Sequence, residues 1–140
     1  MAKVLIVAAP YRKEIVDELA QGAVEIIEGE GHEYDIVNVH GALEVPLAIK
    51  FAAKSGKYDA YLALGCIVKG ETIHDQVVAM EAFRGIARLS QDEELPIGNG
   101  ILTVESTEQA IIRADRQQMN RGAEAAKACL GLLDIKKLFA

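Results

Sequence analysis

Apolar and polar positions follow two alternating periods along the chain. Lys3 to Ala9 is nearly all apolar and β-branched, the pattern of a strand buried on both faces. From Tyr11 to about Glu30, the residues Ile15, Val16, Leu19, Ala23, Ile26 and Ile27 recur at the helical period. They predict an amphipathic helix that ends at Gly29 and Gly31. Tyr34 to Val39 predicts a second strand, and Val45 to Lys54 a second helix. Pro46 falls in that helix's first turn, where a missing N–H costs nothing. After the Ser55-Gly56-Lys57 turn, Tyr58 to Ile67 predicts a third strand. Gly65 to Asp75 reads as a loop, and a helix follows to about Ser90 with Val77, Val78, Ala82, Ile86 and Leu89 on one face. Pro96 and Ile97 open a fourth strand that runs to Thr103. Ser106 reads as the N-cap of a short helix, about Thr107 to Asp115, with Gln109 closing a capping box. A polar stretch, Arg116 to Arg121, precedes a last helix of Gly122 to Lys137. Lys136 and Lys137 suit its C-terminal end.

The order βαβαβαβαα predicts an α/β fold with a parallel sheet covered by helices on both faces. No repeat, linker or low-complexity tract divides the 140 residues, so a single domain over 1–140 is expected. Folds of this kind bind ligands at the carboxyl ends of strands, near the switch in strand order. That rule selects Ala8 to Arg12, Val39 to Glu44 and Gly65 to Asp75, with Thr103 to Ser106 as a further candidate.

Composition narrows the classes of function. The chain is 51% hydrophobic and 26% charged, which excludes a disordered chain. No apolar run approaches the roughly 20 residues of a membrane-spanning helix. The first apolar run stops at Pro10 with Tyr-Arg-Lys behind it, unlike a signal peptide. A soluble cytoplasmic protein is expected. A formal net charge of -6 gives no general attraction for nucleic acid or an acidic membrane surface. Cys66 and Cys129 lie in apolar stretches and read as buried thiols. Neither they nor His32, His40 and His74 have metal-ligand spacing, so no metal is expected.

Gly65 to Asp75 carries the most chemistry. Gly70 lets the backbone approach a ligand, and the amides of Glu71 and Thr72 lie near a helix N-terminus, where an anion is favoured. His74 then stands within a turn of that anion and exchanges protons near neutral pH. An ordinary loop with an exposed histidine fits the residues equally well. The segment is neither a P-loop nor a dinucleotide-binding fingerprint. Gly98 and Gly100 lie inside the fourth strand and read as sites of close backbone packing. His40-Gly41-Ala42-Leu43-Glu44 leaves room for a planar ligand, though Glu44 alone reads better as a first-turn helix carboxylate. Arg113 and Arg121 read on composition as surface charges.

Four blocks in order resemble the lumazine synthase family. They are Gly41-Ala42-Leu43-Glu44-Val45-Pro46, then Leu64-Gly65-Cys66-Ile67-Val68-Lys69-Gly70-Glu71-Thr72-Ile73-His74, then Asn99-Gly100-Ile101-Leu102-Thr103 with Glu108-Gln109-Ala110 and Arg113-Ala114, and Asn120-Arg121-Gly122-Ala123-Glu124-Ala125-Ala126. The resemblance spans essentially the whole chain, and its second block is highly specific. It implies a flavodoxin-like three-layer αβα sandwich with a four-stranded parallel sheet in the order 2-1-3-4. It implies condensation of 5-amino-6-(D-ribitylamino)uracil with 3,4-dihydroxy-2-butanone 4-phosphate, the penultimate step of riboflavin synthesis. The family uses no metal or organic cofactor, and its sites lie between neighbouring subunits of a pentamer.

The resemblance also implies roles for particular residues. Tyr11 takes the place of an aromatic residue that stacks on the pyrimidine. Ala42, Leu43 and Glu44 line the ribityl and pyrimidine pocket, Glu44 hydrogen-bonding the ribityl chain, and Ile67 and Val68 pass beside the ring. Gly70, Glu71 and Thr72 contact the phosphate-bearing substrate, and His74 moves protons. Asn99 comes from the neighbouring subunit, Arg113 binds phosphate from that neighbour, and Arg121 keeps the charge of a lysine position. Two departures remove aromatic surface near the pocket. Leu43 stands where the family has Phe or Trp, and Asp75-Gln76 where it has an aromatic followed by an acid. Little chain precedes the first strand, and Arg116 to Asn120 lacks the Gly-Thr-Lys-x-Gly character of shell-forming relatives. A pentamer, free or stacked in pairs, is therefore expected. Two other classes stand beside the enzyme: a non-catalytic flavin or lumazine binder, and a flavodoxin-type electron carrier. The carrier would want a hydroxyl-rich loop after the first strand, and Ala8-Ala9-Pro10-Tyr11 offers none.

Overall fold

The computed structural model describes residues 1–140. Its strands are β1 (Lys3–Ala8), β2 (Glu33–Asn38), β3 (Ala60–Val68) and β4 (Ile97–Val104). Its helices are α1 (Lys13–Gly29), α2 (Val45–Ser55), α3 (His74–Asp92), α4 (Thr107–Ala114) and α5 (Arg121–Leu138). The strands form one sheet in the order β2-β1-β3-β4, every neighbouring pair parallel. Val4 pairs with Tyr34 on one side and with Ala60 on the other, and Val68 pairs with Val104. This is the expected three-layer α/β sandwich.

Period-two alternation divides the core into two layers. Val4, Ile6, Leu62 and Leu64 point to one face, where they meet Leu19 and Ile27 of α1 and Cys129 and Leu130 of α5. Leu5, Val7, Tyr61 and Ala63 point to the other, against Val45 and Ile49 of α2 and Ala82 and Ile86 of α3. Both faces of β1 and β3 are thus buried, which explains their continuous apolar runs. β2 is an edge strand and mostly exposed. Small residues set how closely helices approach. A side-chain carbon on Gly98 of β4 would meet the Ala125 carbonyl oxygen and lie 2.9 Å from Cys129 Cβ. One on Gly122 of α5 would meet the Leu19 carbonyl of α1. The close-packing reading of Gly98 and Gly100 therefore holds, as does that of Cys66 and Cys129 as buried free thiols.

Several expected boundaries move. Gly65 to Val68 belongs to β3, because each pairs with β4 from Ile101 to Val104, so the loop is only Lys69 to Ile73. α1 begins at Lys13 rather than Tyr11, β3 at Ala60 rather than Tyr58, and α5 at Arg121 rather than Gly122. His74 is the first residue of α3, which runs on to Asp92. Val77 does not share the buried face of Ala82, Ile86 and Leu89; it is 47% exposed. A single 3-10 turn, Ala42–Glu44, precedes α2 and has no periodic signature of its own. Ser106 does cap α4, its Oγ accepting from the Gln109 N–H at 3.2 Å. The return bond of the box goes one residue further back, from the Glu105 N–H to Gln109 Oε1 at 2.7 Å.

Candidate active site

Three strand ends converge where the strand order reverses, since the chain runs from β1 to β2 on one side and then to β3 on the other. The ladder continues past the strands and fixes the loops. Ala9 N–H donates to the Leu64 carbonyl at 2.9 Å, Val39 N–H to Ala8 at 2.9 Å, and Lys69 N–H to Val104 at 2.8 Å. Between these loops lies a cleft of about 510 Å³. Tyr11 comes to it from the β1–α1 passage, and Ala42, Leu43 and Glu44 from the turn before α2. Ile67, Val68, Gly70 and His74 come from the β3–α3 passage. Eight of the sequence-derived site residues therefore share one cleft, from segments distant in the chain.

Local geometry gives each a use. Tyr11 is 84% exposed, so its ring face is open to a planar ligand. Glu44 occupies the N-cap position of α2 yet makes no side-chain cap bond. Its Oε1 turns back toward Gly41 instead, 3.3 Å from where a side-chain carbon would stand there. The ordinary first-turn role therefore does not account for its direction. The β3–α3 loop supplies donors. No acceptor in the chain takes the N–H groups of Gly70, Glu71, Thr72 or Ile73, while Thr72 Oγ1 accepts from the His74 N–H at 3.2 Å. Successive free amides at a helix N-terminus form an anion-binding concavity.

Other expected residues stand apart from this cleft. Glu71 and Thr72 are exposed on the outer side of the loop. Asn99 lies on β4, exposed, its Oδ1 accepting from the Ile101 N–H at 3.0 Å. Arg113 lies on α4, half-buried, donating to the Gln109 carbonyl at 3.2 Å. Arg121 opens α5 with its side chain exposed. Within one chain Asn99, Arg113 and Arg121 do not line the cleft that holds His74.

The cleft also contains residues to which the sequence reading gave no site role. Arg12 lines it, half-buried and without an ion pair, 3.5 Å from the Thr107 hydroxyl. Lys69 and Asp75 line it as well. The available signal was position: a cation in the β1–α1 passage, and a carboxylate directly after His74 where the family has an aromatic residue. Cys66 is at the floor, where burial pushes its thiol pKa up and the nearby Arg12 charge only partly opposes this. It is therefore a poor nucleophile. No three His, Cys, Asp or Glu side chains are grouped to hold a metal ion. No helix is long and apolar enough to cross a membrane.

Known proteins match this chain over nearly its whole length. Residues 1–137 match the family model described as 6,7-dimethyl-8-ribityllumazine synthase. A protein of that name from Zymomonas mobilis subsp. mobilis is 50% identical over 137 residues, 98% of each chain. Another from Sphingopyxis alaskensis is 51% identical over 139 residues, covering 99% of this chain and 98% of its own. A third, from Erythrobacter litoralis, is 47% identical and covers 99% of both. With the expected fold, the converging loops and this similarity in place, the chain belongs to the 6,7-dimethyl-8-ribityllumazine synthase family.

Proposed function

We infer that the protein condenses 5-amino-6-(D-ribitylamino)uracil with 3,4-dihydroxy-2-butanone 4-phosphate. The product is 6,7-dimethyl-8-ribityllumazine, with loss of phosphate and water, the penultimate step of riboflavin biosynthesis. The observation that carries this reading is one cleft with an open aromatic ring, a carboxylate and a histidine, bordered at Gly70 by a loop whose successive amides are free. The pyrimidine stacks on Tyr11 beside Ile67 and Val68, and Glu44 holds the ribityl chain against Ala42 and Leu43. The butanone phosphate places its phosphate on the loop of Gly70, Glu71 and Thr72.

The amine and the ketone react with each other unaided, so holding them in register supplies most of the acceleration. Imine formation, phosphate elimination, ring closure and dehydration all move protons, and His74 carries them. Arg113 and the loop amides stabilise the departing phosphate. Because Asn99, Arg113 and Arg121 lie off the cleft of their own chain, they act in a neighbour's cleft. The site then needs two subunits, arranged as a homopentamer in the cytoplasm. Exposed Leu47 and Phe51 of α2 and Val77 and Met80 of α3 support such an interface. No metal or organic cofactor enters the scheme.

The test is to mix the two substrates with purified protein and follow lumazine absorbance and free phosphate together, subtracting the uncatalysed reaction. Acceleration that disappears in Arg113→Ala supports the assignment. A folded oligomer that binds lumazine or riboflavin without turnover replaces it with a non-catalytic binder, the reading that Leu43 and Asp75 in the cleft favour.

A further inference from the structure

Asp75 follows His74 in the first turn of α3. A carboxylate in that place ordinarily serves the helix dipole from solvent. Here the side chain folds back over the loop instead. A side-chain carbon added to Gly70 would lie 2.7 Å from Asp75 Oδ2 and 3.9 Å from its Cγ. The residue is half-buried, and it lines both the cleft and a smaller hollow beside Thr103 and Glu105. No N–H or O–H group donates to the carboxylate, and no cation lies within 4.0 Å of it. Lys69 borders the same two spaces. Glu71 and His74 lie on its own segment, Glu105 just after β4 borders the smaller hollow, and Arg12, His40 and Glu44 line the same cleft.

The carboxylate therefore closes over the backbone whose free amides would take the phosphate. A carboxylate beside a bound phosphate repels it, and a half-open site screens the two charges only partly. We propose that Asp75 sets the strength of the phosphate subsite, its carboxylate over Gly70 opposing a bound phosphate and hastening release of inorganic phosphate. This rests on the reading that places phosphate on the loop of Gly70, Glu71 and Thr72. The residue is a determinant of affinity; it takes no part in bond making.

The test uses the assembled enzyme, with inorganic phosphate as inhibitor against the butanone phosphate. Asp75→Asn lowers both the phosphate inhibition constant and the KM for butanone phosphate by about three- to tenfold at low ionic strength. The KM for the pyrimidine stays where it was. The difference from the parent enzyme shrinks in high salt, which a purely structural role would not produce. Asp75→Ser removes the same charge and gives the same result, which covers the case of one variant folding poorly. Phosphate inhibition unchanged in both variants overturns the proposal, as does a change indifferent to salt. Arg113→Ala separates the two levels. If it weakens phosphate inhibition while the Asp75 variants do nothing, only the role of Asp75 falls. If inorganic phosphate does not inhibit the parent enzyme at all, the phosphate subsite and the role of Asp75 fall together.

Discussion

In the proposed scheme His74 and Arg113 divide the chemistry unequally. Two already reactive partners need little more than proton movement from His74, so His74→Ala slows kcat by about tenfold, below the usual range for general acid–base catalysis. Arg113, as proposed, meets the charge that develops on the leaving phosphate, so Arg113→Ala is expected to slow it by about a thousandfold. Steady-state kinetics of the two variants side by side checks the split, and equal losses would contradict it. Stability has its own titrating groups. Burial holds the Cys129 thiol pKa up at about 12, against 9.0 for a free thiol. The raised value favours the folded state fully below pH 9.0, and that advantage is lost as pH climbs toward 12. Thermal unfolding followed between these limits falls steeply for the parent protein and less steeply for Cys129→Ala measured from its own starting stability. Asp35 behaves oppositely. Hydrogen bonds from Tyr58 and Lys3 hold its carboxyl below the usual carboxylate range, so its contribution is present at neutral pH and lost as acid protonates it. Local pattern left the site half-legible: Glu44 alone read as a first-turn carboxylate and His74 fitted an exposed loop histidine equally well, and the family resemblance singled them out. Side-chain direction was not legible. Asp75 turning over Gly70 and Arg12 reaching the Thr107 hydroxyl of α4 are matters of side-chain direction, which no local pattern encodes.

Elements here are fixed by caps and by close approach as much as by period. Ser106→Ala removes the acceptor for the Gln109 N–H and costs about 1 kcal/mol, read as a lower melting temperature with activity intact at low temperature. Gly122→Ala drives a methyl group into the Leu19 carbonyl and separates α5 from α1, at a cost of about 1–3 kcal/mol by chemical denaturation. The strands were legible because β1 and β3 are buried on both faces and read as unbroken apolar runs. The end of β3 was read to within one residue, at Ile67, but the loop was started too early at Gly65, because a glycine reads locally as a turn residue while pairing with Ile101 keeps it in the ladder. Val77 was misplaced for a related reason. An apolar residue at helical spacing meets the core only if its helix is rotated that way, and α3 presents Val77 outward.

At the scale of the molecule, the parallel sheet and its helical layers follow from the alternation of elements and the strand order was implied by the family resemblance, whereas assembly depends on surfaces that a single chain leaves open. Leu47 and Phe51 of α2 and Met80 of α3 are 55%, 66% and 65% exposed, apolar side chains suited to a contact between subunits. Phe51→Lys with Met80→Glu lowers the sedimenting mass and the activity together. A mass near a megadalton for the parent protein would contradict the pentamer. Subunit complementation tests the shared site most directly. One variant carries Glu44→Ala and His74→Ala, the other Arg113→Ala, and the two are dissociated, mixed in equal amounts and reassembled. If the cleft and the arginine come from different subunits, about one quarter of the sites regain a full residue set, and lumazine formation rises well above the mean of the separate variants. If all three residues serve one chain's own site, no full set is restored and the mixture stays at that mean.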